Sequence, residues 1–440
     1  MEQENCTLTG IEHFPQIFTY STTSYELIIV SFAITLYAFL GLAIVCEEYL
    51  IFAMIKICHQ LDMRIVMADA TLLAFGTSLP ELCICIICIN VAKTNAGYCL
   101  MLGSVAFDSF AVVGLCGLIA RERLTLDWWT TSRDCGAVCF GVICFVFFTL
   151  LGISWFIKSV MLITFYVIFL IYLNCDKFLQ EKLRDMNEET TRTGAKCFRT
   201  NPSNVPVMRE KFAKYVVEEG LEITLHPCRW PTSNAGLKML WLISWPLQVL
   251  FIMTIPDCRR KSLRSCYGLT VLMCIVWVMF LSYIVTWCAA ILSHQLRIPL
   301  SIVGLTLLAI GAAAPDILSF ILMVHHANSA RGIYYAWTIN NIKMFFYIGI
   351  AYAFEITLDL LWPTKFYIIP LSTQLITMTV LLCFCFIIMY ILLLCTQFVI
   401  NRWFGGIFIL LYFLYIIICC LIQFEWLKTC NKPFCEPFKV

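Results

Sequence analysis

Charge is scarce in this chain. Only 13% of its 440 residues are charged, and 30 basic against 28 acidic residues leave a net charge of +2. Such a balance excludes a surface built to hold nucleic acid by bulk charge. Histidine is scarcer still, at six residues. No Ser/His/Asp or histidine-rich metal constellation is present, so the chain is read as no enzyme and no bound cofactor is expected. The first 24 residues lack the basic start and apolar core of a cleavable signal. They hold the chain's only N-x-[ST] sequon, Asn5-Cys6-Thr7, which predicts glycosylation if that end is extracellular.

What fills the chain instead is apolar. Hydrophobic residues make up 61%, and the mean hydropathy is +0.86. Many windows exceed the 18 or so apolar residues that a membrane helix needs. The fold class expected is an all-α, polytopic, multi-pass membrane protein whose immediate partner is the lipid bilayer. About ten spans are predicted, at 25–45, 64–92, 97–120, 135–153, 157–174, 267–292, 298–325, 333–357, 367–398 and 404–424. The 25 cysteines fall mostly inside these runs. Cys83, Cys85 and Cys88 are read there as small apolar side chains rather than as a metal motif.

The organisation follows. Residues 1–24 form an extracellular N-terminal segment, 25–174 a first membrane half, 175–266 a cytosolic loop, 267–424 a second half, and 425–440 a tail. The loop is polar and carries both charge signs as far as 238, as in K-L-R-D-M-N-E-E-T-T-R, and is expected to be partly disordered. Within it, 240–256 is read as an interfacial helix because of its length, Pro246, Trp241 and Trp245. Basic residues gather after the third span (Arg121, Arg123, Arg133), in the central loop, and before the sixth span. The positive-inside rule then sets the N-terminus outside. Nothing in the sequence bears on oligomeric state.

One sequence appears twice. Residues 71–82, T-L-L-A-F-G-T-S-L-P-E-L, and 306–317, T-L-L-A-I-G-A-A-A-P-D-I, share six of twelve positions at a constant offset. Each copy carries a carboxylate, Glu81 or Asp316, directly after a proline. A carboxylate in hydrocarbon costs several kcal/mol and marks a functional site by default. The copies lie five spans apart, an odd number, so they cross the bilayer in opposite directions. The result is two inverted five-helix repeats, with first and second repeat regions at 64–120 and 298–357 and both acids near the midplane.

The residues around these acids are hard oxygen donors. Pro80 frees the backbone carbonyl of Gly76, four residues back, and Pro315 does the same for Gly311. Thr77 and Ser78 share a helical face with Glu81. Downstream lie G-S-V-A-F-D, with Ser104 and Asp108, and T-I-N-N-I-K-M (338–344), with Asn341. The expected cation ligands are therefore Glu81, Asp316, Thr77, Ser78, Ser104, Asp108 and Asn341, with Gly76 and Gly311. Such a set selects Na⁺, K⁺ or Ca²⁺ over soft metals. Two carboxylates balance one Ca²⁺ or two Na⁺, so each excludes the other, and a site open alternately to each side gives antiport. The competing reading is that the acids pair with basic residues in the bundle. Lys343 is the one clear intramembrane base, and the expectation is that it snorkels to an interface rather than standing as a tethered cation beside the site.

These motifs resemble the potassium-dependent sodium/calcium exchangers, within the wider calcium/cation antiporter group. The resemblance covers most of the membrane part. C-E-E-Y (46–49) resembles the acidic end of the family's first span. A-T-L-L-A-F-G-T-S-L-P-E-L and V-G-L-T-L-L-A-I-G-A-A-A-P-D resemble its two repeats. T-I-P-D-C-R-R (254–260) is similar to the stretch before its second membrane block. The resemblance implies exchange of Na⁺ for Ca²⁺ with K⁺, and Glu81 and Asp316 as central ligands.

The departures matter as much. Ala312 and Ala313 stand where the family has hydroxyls. Asp108 stands where it has asparagine. Met344 stands where it has the acid associated with potassium dependence, which predicts weak K⁺ coupling and a compensating role for Asp108. The leading expectation is an antiporter of the plasma membrane. The alternative is a transport-poor paralogue that regulates or partners an active exchanger.

Overall fold

The computed structural model describes residues 10–15, 25–63, 65–120, 123–151, 154–191, 235–258, 266–315, 317, 331–361 and 373–430. Asn5, Asp316, most of the central loop and the end of the tail lie outside the described residues.

Eleven longer helices can be followed among the described residues. They are α1 (Tyr25–Gln60), α2 (Asp69–Asn90), α3 (Ala96–Ile119) and α4 (Trp128–Leu150), then α5 (Trp155–Thr191) and α6 (Ala235–Thr254). The second half supplies α7 (Tyr267–Leu296) and α8 (Leu300–Ala312), α9 (331–361), α10 (Thr373–Cys395) and α11 (Arg402–Cys430). Eight helices among the described residues are long and apolar enough to cross a membrane. Helix α5 runs past the boundary expected at 174 as far as Thr191. Helix α6 lies against α1, with Leu247 beside Gly41. A short antiparallel pairing sets Leu124 opposite Ile400 and Thr125 opposite Val399.

Burial sorts the helices into an inner and an outer set. In α3, 94% of the most apolar 18-residue window is buried, against 28% in α11. Outer helices present large apolar side chains such as Ile29, Phe147, Ile171 and Phe413 to their surroundings. In water these would form an adhesive patch, whereas in hydrocarbon they are solvated by lipid.

The internal symmetry is visible in wide π turns, each with one extra residue per turn. One occupies Asp69–Leu73 in α2 and another Phe107–Val112 in α3. Their counterparts are Gly304–Leu308 in α8 and Ile342–Tyr347 in α9. Both pairs are separated by the same offset as the two copies of the sequence repeat. A fifth wide turn, Cys46–Leu50, holds the C-E-E-Y motif. The repeat is thus visible in the backbone at 69–73 and again at 107–112, the second lying well beyond the twelve positions compared in the sequence. It does not break α2 at Pro80: the helix runs unbroken from Ala74 to Asn90, and the irregular turn comes earlier, at 69–73.

Packing repeats with the same two-fold logic. Helix α3 runs antiparallel to α11, with Phe107 against Tyr412 and Gly114 against Gly405. Its counterpart α9 runs antiparallel to α5, with Tyr166 against Phe346 and the Ser159 hydroxyl donating to the Gly349 carbonyl at 2.8 Å. Gly114 and Gly349 are matched by the repeat offset and play one role. A Cβ on Gly114 would sit 2.7 Å from the Gly405 carbonyl oxygen, and one on Gly349 2.9 Å from the Ile163 side chain. Equivalent helices also pack on each other head to tail. Between α4 and α10, Ser132 and Tyr390 share a hydrogen bond of 2.7 Å, and Cys139 meets Cys383. Antiparallel packing of equivalents puts the two-fold across the helix axes, which is inverted topology.

Candidate functional site

The site forms where α2 and α3 of the first half meet α9 of the second. Glu81, Ser104, Asp108 and Lys343 are all fully buried, at 0% exposure. The Lys343 ammonium donates to Glu81 Oε1 at 2.8 Å, to Ser104 Oγ at 2.7 Å and to Asp108 Oδ2 at 2.5 Å. Ser104 in turn donates to the same Glu81 oxygen at 2.7 Å. Three hydrogens on one nitrogen thus meet three oxygens. Both carboxylates are ion-paired to one lysine across the boundary between the halves.

This corrects the expectation for Lys343, which does not snorkel. A long stem allows snorkelling, but two carboxylates within reach make a stronger partner than a distant interface. In a low-dielectric interior, leaving those carboxylates unmet would cost several kcal/mol. An acid paired with a base in the bundle, as the competing sequence reading had it, is thus present at Glu81 Oε1, while Glu81 Oε2 is left without a donor among the described residues.

The register of the second motif also shifts by one position. Motif resemblance set Met344 in the place of an acid. The paired π turns run Phe107–Val112 and Ile342–Tyr347. Counted from their first residues, Lys343 is the counterpart of Asp108, and Met344 that of Ser109. The sequence around 339–344 matches either register, and only the backbone separates them.

The remaining expected residues fall around this core. Ser78 donates to the Ala74 carbonyl at 2.6 Å and shares a 2.8 Å hydrogen bond with Tyr347 of α9. Thr77 also donates to Ala74, at 3.3 Å. Asn341 donates weakly to the Trp337 carbonyl at 3.4 Å. Gly76 is buried beside Met54 and Leu50, and Gly311 of α8 lies against the Phe39 ring. Asp316, the second central acid, lies outside the described residues. Cys83, Cys85 and Cys88 are free, buried thiols. Among the described residues no three His, Cys, Asp or Glu side chains gather round one metal position.

Sequence reasoning missed three participants. Tyr347 was invisible because one tyrosine among 18 carries no motif. Asn340 donates to Ser109 Oγ at 2.8 Å, joining the two downstream motifs. Asp134 accepts from Arg133 at 2.8 Å and from Thr338 at 3.0 Å. The N-N pair was the one available signal for Asn340.

The site's chemistry follows from its unmet oxygens. Glu81 Oε2, Asp108 Oδ1, Asn340 Oδ1 and Asn341 Oδ1 are buried and accept no hydrogen bond among the described residues. Buried hard acceptors without donors are the kind of group that a cation satisfies. Two carboxylates thus share one ammonium.

The profile of the sodium/calcium exchanger protein family matches residues 31–174 and 267–421, most of both membrane halves. The chain belongs to this family. It is 26% identical to human sodium/potassium/calcium exchanger 5, over 72% of this chain and 69% of that protein. It is 21% identical to human sodium/potassium/calcium exchanger 3, over 80% and 74% of the two. The solved structure of the H⁺/Ca²⁺ exchanger CAX superposes with a TM-score of 0.54 at 12% identity, covering 91% of this chain and 88% of that one. That likeness shows a shared fold. Low identity throughout marks a divergent member of the exchanger family.

Proposed function

We propose that this exchanger is a secondary active antiporter that moves Na⁺ against Ca²⁺ by alternating access at a site midway through the bilayer. The observation that carries the reading is Glu81. It is fully buried at the meeting of the two inverted halves, and one of its carboxylate oxygens has no donor among the described residues. Family membership supports a transporter over a silent partner protein.

In this reading Glu81 and Asp316 are the central ligands. Thr77, Ser78, Ser104, Asp108 and Asn341 supply further oxygens, with backbone carbonyls at Gly76 and Gly311. A divalent ion and two monovalent ions compete for the same carboxylates, and that exclusion couples the fluxes. The wide turns beside each acid are where a spanning helix is most easily re-formed, so they are the proposed points of gating. Potassium coupling is proposed to be weak. The proposed location is the plasma membrane, with Asn5 outside and glycosylated.

Na⁺-dependent radiocalcium uptake into membrane vesicles tests the reading. Glu81→Gln and Asp316→Asn are each expected to reduce uptake to background. Uptake that survives both substitutions removes these acids from the transport site.

A further inference from the structure

Antiport at Glu81 leaves one feature without a role: a lysine bound to the same carboxylate that is meant to hold the transported ion. We propose that the Lys343 ammonium is a tethered cation that fills one monovalent-ion subsite of the exchanger, so that no free alkali ion is needed there. The inference rests on the antiport reading only in placing this subsite beside the transport site, through Glu81.

Three observations carry it. The first is the coordination. Two carboxylate oxygens and one hydroxyl oxygen surround Nζ at 2.5–2.8 Å. This is an all-oxygen set of the kind that takes hard monovalent cations. An ammonium group and a potassium ion have nearly the same radius, so one replaces the other with little rearrangement.

The second is symmetry. Asp108 and Lys343 each stand second in equivalent π turns, and they touch. Residues that are equivalent and in contact lie on the two-fold axis. Two acids meeting there would require a cation between them. Here one member of the pair is itself the cation, carried on the chain.

The third is electrostatic. Among the described residues, the charged or titratable groups shown to act on Asp108 or Glu81 include Lys343, Tyr412 of α11 and Cys85 of α2. Among these, Lys343 alone is basic. Its removal leaves two carboxylates with no cation, and a freely diffusing monovalent ion becomes the remedy.

The experiment compares wild type, Lys343→Arg and Lys343→Met in choline, potassium and ammonium chloride. One readout is the thermal unfolding midpoint of purified protein, and the other is Na⁺-dependent radiocalcium flux. Wild type and Lys343→Arg are expected to change by less than about twofold in flux between the salts, with an unmoved midpoint. Lys343→Met is expected to lose about tenfold or more of its flux in choline, a change of at least about 1.4 kcal/mol. It should recover in potassium or ammonium, with a midpoint that rises in the same salts.

A Lys343→Met protein indifferent to both ions overturns the proposal, as does strong potassium stimulation of wild type. Failure to obtain the variant in any of the three salts also overturns it, since an external ion should then substitute. If wild type proves transport-silent, the antiport reading fails, while the salt dependence of the midpoint still decides the tethered-cation reading.

Discussion

The carboxylate of Asp108 is expected to have opposite effects on stability in two backgrounds. With Lys343 present, Asp108→Asn deletes a charge-assisted hydrogen bond of 2.5 Å but leaves the ammonium paired to Glu81. The expected loss is about 1.5–3 kcal/mol. With Lys343→Met already made, Glu81 and Asp108 face each other unshielded. Each has an oxygen within 2.8 Å of the vacated nitrogen position. The two carboxylates therefore stand no more than about 5 Å apart, and at an effective dielectric of ~20 unit charges at that distance repel by about 3 kcal/mol. Adding Asp108→Asn to Lys343→Met should therefore stabilise the protein by roughly that amount, although the same change destabilises wild type. Unfolding by detergent titration in choline buffer, free of alkali cations, measures both legs of the cycle. Independent sites would add to within about 0.5 kcal/mol. If Asp108→Asn costs the same in both backgrounds, the carboxylates are not electrostatically linked through Lys343 and the account of the cluster is wrong.

Other outcomes follow from the same geometry. Ser104→Ala removes both an acceptor from Lys343 and a donor to Glu81, and should cost about 1–3 kcal/mol and lower radiocalcium flux; Ser104→Cys, which keeps a weak donor, should retain more of it. Gly114→Val drives side-chain carbon into the Gly405 backbone and should strip the protein from the membrane fraction, as seen by blotting. Gly136→Val, at a position with nothing within 4 Å, should leave its amount unchanged. A Gly114→Val protein recovered at wild-type levels would mean that α3 and α11 are not held at the distance described.

Much of the architecture was legible because membranes impose a strict grammar. Long apolar runs announce spans, and a twelve-residue repeat with acids at matching positions announces inverted halves. Glu81, Ser104 and Asp108 could be picked out by a simpler rule, that polar groups among apolar neighbours need a reason. Lys343 could not be read correctly, because a lysine's stem spans either choice and only the positions of Glu81 and Asp108 decide between them. The register of 339–344 escaped for a related cause. Apolar helices have few letters that distinguish a shift by one position, whereas matching wide turns fix it. Tyr347 and Asn340 escaped because their partners, Ser78 and Ser109, belong to the other half of the chain.

The crossed pairing of α3 with α11 and of α5 with α9 has a consequence for synthesis. The glycine face of α3 is made early, yet the surface it fits belongs to α11, which is made long after it. Until then Gly114 and Gly117 have only lipid or chaperone against them, and α5 likewise waits for α9. Helices α3 and α5 therefore gain these contacts only once α11 and α9 have been made, so a chain truncated before Arg402 should be a substrate for quality control rather than a smaller transporter.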